Sequence, residues 1–259
     1  MNRQQVWMRG TPLLVAAAAL VVAPTVADIT DINSVVIQQR IFNDYPNSTL
    51  NIVDNFPSLV SITEYNFGDG GWANRHDAVF SADDTNPYLL ATSDAFDITF
   101  NVMLDAGSIS PRKEAGIRFN YLGFDGLFII ASDGESAAFG GVLPFYTFGG
   151  SAYTLGSVAE MRVIYRPDDD PDPGDGDAST IEYILNGMSS GPLPFGNLEN
   201  GFIPQTQIAV YGQFAVDDNN PGDFGLVEYS NFSILIPEPA SLVLLLGGLA
   251  ALGRGWRRV

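Results

Sequence analysis

Six aspartates crowd residues 168–177: Asp168, Asp169, Asp170, Asp172, Asp175 and Asp177, with two prolines and two glycines between them. Calcium takes about six to eight oxygen ligands, which a flexible acidic loop can supply. The run lacks the calcium-loop spacing that closes on a glutamate. Its prolines and glycines suit a solvated hairpin loop better. Asp168, Asp170, Asp172, Asp175 and Asp177 are therefore candidate ligands for weakly held Ca2+ only, and no other cofactor is implied. A second cluster surrounds Trp72, the one tryptophan between residues 28 and 235, in Asp69-Gly70-Gly71-Trp72-Ala73-Asn74-Arg75-His76-Asp77. An indole and an amide here could receive a sugar ring, so Trp72 and Asn74 are candidate carbohydrate contacts. The competing and favoured reading has Trp72 plugging a sheet edge, with His76 on the surface.

Other chemistries are poorly supplied. Paired carboxylates hydrolyse glycosides, and alternate positions on a strand would aim two of them the same way. Glu160, Glu182 and Glu228 each stand alone in a strand-like segment. A pair contributed by two strands stays open. His76 is the only histidine, and there is no cysteine. That excludes thiol nucleophiles and a multi-histidine zinc site within one chain. No serine sits in a Gly-x-Ser-x-Gly elbow, and there is no phosphate-cradling loop or dinucleotide fingerprint. No catalytic residue is therefore assigned.

These groups must be held by strands. Apolar and polar residues alternate over 98–104, 117–121, 161–165, 181–185 and 232–236, and period two is the strand signal. Segments 127–131, 142–148 and 207–214 add candidates. Asp69-Gly70-Gly71, Asp125-Gly126, Asp133-Gly134, Asn186-Gly187 and Pro221-Gly222 read as turns. Only 31–40 reads as a helix. The pattern predicts an all-β, two-sheet antiparallel sandwich over residues 28–235.

Charge narrows the partners. Of 30 acidic and 12 basic residues, 29 and seven respectively fall between 28 and 235, and the whole chain carries −18. Nucleic acid needs a basic surface, which this body does not offer.

The ends read as addresses. Arg3 and Arg9 precede an apolar run over 13–23 and a small-residue exit at Ala27. This order predicts a signal peptide over 1–27, and hence the secretion machinery as a partner. At the other end, Pro237-Glu238-Pro239 leads into an apolar run over 242–252, closed by Arg254, Arg257 and Arg258. The span is short for a membrane, and the arginines favour its cytoplasmic side. This three-part tail, 236–259, resembles the bacterial PEP-CTERM sorting signal. The resemblance implies recognition by an exosortase-type transpeptidase, a short transmembrane helix, and a place in the cell envelope or outside it. It also implies a link to extracellular polymer. A plain C-terminal anchor is the alternative.

The second half of the body carries Leu185-Asn186-Gly187 at a strand end and Tyr229-Ser230-Asn231-Phe232 in a late strand. These motifs resemble those of laminin-G and concanavalin A-like lectin/glucanase sandwiches, with Ser230 where that pattern has an acid. The resemblance implies a jelly-roll sandwich and polysaccharide as a partner. Three functions compete. The missing carboxylate pattern favours a non-catalytic surface or extracellular-matrix module that associates with carbohydrate. The alternatives are a glycan-cleaving enzyme of concanavalin A-like fold and a purely structural envelope component.

Overall fold

A computed structural model describes residues 32–236, apart from 69, 91–93, 122–123, 142, 168, 170–178 and 196–205. The signal peptide, the sorting residues Pro237, Glu238, Pro239, Arg254, Arg257 and Arg258, and all five candidate calcium ligands lie outside the described residues. The described part contains strands and no helix. In chain order the strands are β1 (Ser34–Asn43), β2 (Thr49–Asn55), β3 (Leu59–Tyr65), β4 (Ala73–Ser81), β5 (Phe96–Ala106), β6 (Glu114–Tyr121), β7 (Phe124–Ala131) and β8 (Ser136–Phe139). There follow β9 (Tyr146–Gly149), β10 (Val158–Arg166), β11 (Thr180–Leu185), β12 (Met188–Ser189), β13 (Leu193–Pro194), β14 (Gln207–Ala215) and β15 (Phe224–Leu235).

The strands make a two-sheet antiparallel jelly-roll sandwich. One sheet has seven strands in the order β1-β4-β14-β6-β7-β8-β9. The other has eight, ordered β12-β11-β10-β5-β15-β3-β2, with β13 also paired to β11. Alternation builds the core. Phe96, Ile98, Phe100, Val102 and Leu104 of β5 point inward, as do Met161, Val163 and Tyr165 of β10. Ala115, Ile117 and Phe119 of β6 and Ile208, Val210 and Phe214 of β14 face them. The Asn186-Gly187 turn is as expected: both residues have positive φ (49° and 78°), which a two-residue hairpin from β11 to β12 requires.

Two expectations are corrected. Segment 31–40 is not helical: residues from Ser34 onward form β1, paired with β4. Val35, Val36 and Ile37 are β-branched and prefer the pleat. A bulge between Gln38 and Phe42 places Arg40 at φ 56°. Asp125-Gly126 is not a turn but lies inside β7, opposite Asn120 and Phe119.

A polar staple joins the sheets. Tyr229 of β15 accepts a hydrogen bond from the Gly116 N–H (2.7 Å) and donates through its hydroxyl to the Tyr211 carbonyl (2.5 Å). A Cβ on Gly116 would lie 2.1 Å from the Phe128 carbonyl oxygen. Gly116→Ala is therefore expected to destabilise the fold by about 3 kcal/mol or more, because backbone in a paired strand must give way. Urea unfolding of the variant measures this, and a loss below about 1 kcal/mol would count against the close approach.

Candidate functional site

An antiparallel sheet with one wet face normally alternates buried and exposed residues. β4 and β14 do not. β4 is buried along its whole length, and β14 after its first residue. Their inward side chains meet the core, so something also covers them on the outside. The cover is a charged and hydroxylated cluster on the outer face of the seven-stranded sheet. Register explains its assembly: Asp77, Tyr211, Gly116 and Ile129 lie side by side across four strands, flanked by the row Arg75, Gln213, Glu114 and Ala131.

Two guanidiniums and two carboxylates form its centre. Arg75 reaches Asp77 (3.3 Å) and Asp125 (2.9 Å). Arg118 reaches Asp125 (2.6 Å) and also pairs with Asp77. Burial pushes the Asp77 carboxyl up, and the two guanidiniums pull it back. Burial likewise disfavours the Arg75 charge, but Asp77 and Asp125 outweigh it and raise its pKa. The Arg75 guanidinium sits between the rings of Phe42 (5.3 Å) and Tyr211 (5.1 Å), an arrangement that favours the cation. Its Nη2 is the one buried side-chain nitrogen or oxygen without a hydrogen-bond partner among the described residues.

Beside this centre the face opens into a groove of about 360 Å3, lined by Trp72, Arg112, Glu114, Leu127, Phe139 and Gln213 among others. Glu114 is held at both ends. One oxygen accepts from Arg112 (2.6 Å), and the other from the Tyr211 hydroxyl (3.4 Å). Arg112 also pairs with Glu135. Tyr211 is fully buried, and burial together with Glu114 holds its hydroxyl well above the ordinary phenol range. It is a proton-bearing donor, not a phenolate. Leu127, Phe139, Ile129 and Ala131 give the face a small apolar floor around Tyr211.

The sequence candidates divide here. Trp72 is 58% exposed and lines the groove, so it plugs no edge. Asn74 faces the other way. Its amide donates to Glu64 (2.7 Å), and its side-chain oxygen accepts from the Tyr45 N–H (2.9 Å), so it cannot share a sugar with Trp72. His76 is not on the surface but fully buried. Its Nδ1 accepts from the Arg40 N–H (3.1 Å), which leaves the proton on Nε2 to bond Glu64 (2.9 Å). Glu160, Glu182 and Glu228 lie on β10, β11 and β15 of the eight-stranded sheet, not on the sheet that carries the groove. Asp169 of the acidic run accepts from the Thr180 hydroxyl (3.3 Å). Among the described residues no group of three or more His, Asp or Glu is placed to hold a metal. The remaining cations are committed elsewhere: Arg40 to Glu64, Lys113 to Asp223, Arg162 to Asp97 and Arg166 to Glu182.

No protein-family model matches the chain, and no curated protein does. Solved structures do. An alginate lyase from Corynebacterium sp. aligns over 79% of this chain and 94% of its own, at TM-score 0.51 and 9% identity. A His-to-Asn, Tyr-to-Phe variant of the family 7 alginate lyase A1-II', in complex with substrate (GGMG), aligns over 82% and 96%, at TM-score 0.51 and 12% identity. The sandwich shares its jelly-roll fold with these two alginate lyases. At such identity the likeness is one of scaffold. The expectation of a non-catalytic surface or matrix module is corrected on this ground: the solved structures that align with this sandwich are alginate lyases.

The residues that make up the groove, Glu114, Arg112 and Gln213, together with Arg75, Asp77, Arg118, Asp125 and Tyr211, carried no motif. Their signal was modest: Arg75-x-Asp77, Glu114-x-Gly116-x-Arg118 and Tyr211-x-Gln213 put polar groups on one face of three strands.

Proposed function

We propose that the chain is an exported glycan-cleaving enzyme whose substrate lies along the outer face of the seven-stranded sheet. The observation that carries this reading is the groove itself. It sets an exposed tryptophan, an amide and a buttressed carboxylate on a sheet face whose central strands are buried on both sides. Trp72 offers a flat surface to a sugar ring, and Gln213 and Arg112 offer hydrogen bonds at the groove wall. Glu114 is the group that moves the proton. Cleaving a glycosidic link needs proton transfer by a positioned side chain, and Glu114 lines the groove while Arg112 and Tyr211 fix both its oxygens. Tyr211 is a positioning residue, since its hydroxyl is buried beneath the groove. The buried Arg75–Asp77–Arg118–Asp125 network underlies this arrangement and holds β4, β6 and β7 in place. The jelly-roll likeness to alginate lyases supports the same reading.

The ends of the sequence support export by a cleaved signal peptide and sorting at the envelope through Pro237-Glu238-Pro239 and the closing arginines. Such a location would place the groove among extracellular polysaccharides.

The test is to incubate the full chain, held in a detergent that is not itself a glycoside, with neutral, amino-sugar and uronate polysaccharides. New reducing ends are expected on at least one of them. No release on any polymer would end the enzyme reading.

A further inference from the structure

We infer that the glycan this groove accepts carries no negative charge: a neutral or amino-sugar polymer, not a polyuronate. The inference rests on the glycan-cleaving reading and specifies its substrate class. A polymer such as alginate bears a carboxylate on every sugar, and a protein that binds it must set cations against those carboxylates. Burying an anion without such a partner is costly. Here all seven lysines and arginines of the body are already spent on carboxylates of the same chain. On the outer face itself, Asp77, Asp125, Glu114 and Glu135 stand against Arg75, Arg112 and Arg118, an excess of one negative charge. The body as a whole has 29 acidic residues against seven basic. A polyanion approaching this face meets repulsion at range and no free cation on contact.

What the face does offer suits an uncharged sugar. Trp72 is exposed beside the apolar Leu127 and Phe139, a surface for the C–H face of a pyranose. Gln213 supplies an amide at the groove, and it is the register partner of both Arg75 and Glu114. Elimination needs a carboxylate beside the carbon that loses its proton, and an uncharged sugar has none. Cleavage is then hydrolytic. The bond from anomeric carbon to leaving oxygen breaks, the hydroxyl of water joins the carbon, and the proton of water passes to the leaving oxygen by way of Glu114.

Three polymers decide the matter: a neutral β-glucan, chitosan and alginate, each offered to the full chain at physiological ionic strength with a chelator present. Binding, reducing ends and the ultraviolet absorbance of unsaturated sugar ends are followed together, for the native protein and for Trp72→Ala, whose exposed position leaves the fold intact by thermal melting. The expected result is binding to the glucan or chitosan, reducing ends without unsaturated ends, and binding weakened about tenfold in Trp72→Ala. Binding to either that Trp72→Ala weakens upholds the substrate class even where no ends are released, and the enzyme reading alone then fails. Alginate bound or cleaved as well as the other two overturns the substrate class and leaves the enzyme reading standing. So does alginate that binds only when calcium replaces the chelator. Native binding that Trp72→Ala leaves unchanged, or no binding to any polymer, also overturns the inference.

Discussion

Glu64→Ala is expected to cost the sandwich about 3–5 kcal/mol, a large share of the stability of a single domain. Glu64 is fully buried between the sheets, and four donors converge on it. Ser48 donates at 2.5 Å, Asn74 at 2.7 Å and His76 at 2.9 Å, while the Arg40 guanidinium lies 3.2 Å away. Removing the carboxylate leaves the buried His76 Nε2 without its partner, while Ser48, Asn74 and Arg40 keep bonds to the Tyr45 carbonyl. His76 then bears its own desolvation penalty, and Arg40, one-fifth exposed, loses its counter-charge. Glu64→Gln keeps the volume but turns an NH2 group toward donors, so it is expected to cost nearly as much. Glu160→Ala, on the exposed face of β10, is the control and should fall within about 0.5 kcal/mol of the native protein. The same cluster predicts an acid transition. Burial works to raise the Glu64 carboxyl, but the bonds from His76, Ser48 and Asn74 outweigh it and hold its pKa below the ordinary value. The folded state therefore binds this proton less readily than the unfolded chain does. The stabilisation is complete above the ordinary carboxylate range and is lost as pH falls through the lower, folded value. Urea midpoints measured from neutral pH downward should decline through that window. The decline should be shallower in Glu64→Ala, which lacks the group. An equal slope in both proteins would show that other carboxylates carry the transition.

The sandwich was readable in the sequence because most of its strands have one wet face. β5 alternates without a break from Phe96 to Leu104, and that pattern survives in any register. β14 was legible as the candidate segment 207–214, but β4 was missed, for a physical reason. Its outward residues are covered by a charge network, so burial along it has no period, and Arg75 and Asp77 read as loop polarity beside Gly70-Gly71. Asp125-Gly126 carried a turn signature, yet the pair lies within β7 and turns its carboxylate onto Arg75 and Arg118. Local chemistry pointed to a bend, and pairing with β6 kept the strand straight. His76 was read as a surface residue because one histidine has no periodic partner to reveal its side. Its partner Glu64 sits on β3, in the opposite sheet. The groove draws on the loop before β4, on β6 with the residues just before it, and on β14, with β7 and β8 completing its floor. Spacing along one segment cannot show that they meet. The charge excess was legible from composition alone, but its consequence required knowing that each cation is already matched.

Replacing Glu114 with glutamine is expected to lower glycan cleavage at least about 100-fold while leaving glycan binding at Trp72 in place. The amide has the shape of the carboxylate and can still accept a hydrogen bond from Arg112 or Tyr211, so the groove keeps its walls. What it loses is the capacity to take up a proton and give it back. Loss of the ion pair to Arg112 should cost little stability, because Arg112 is about one-third exposed and retains Glu135. Tyr211→Phe separates position from proton transfer. It removes the hydroxyl that bonds Glu114 but leaves the ring under Arg75 and the carboxylate itself. A smaller loss is expected there, falling on turnover while glycan binding is kept, since Glu114 then has one contact fewer to hold it in place. If Glu114→Gln cleaves as fast as the native chain, Glu114 is not the proton carrier. If Tyr211→Phe cleaves as fast as the native chain, or loses glycan binding rather than turnover, Tyr211 does not act through Glu114.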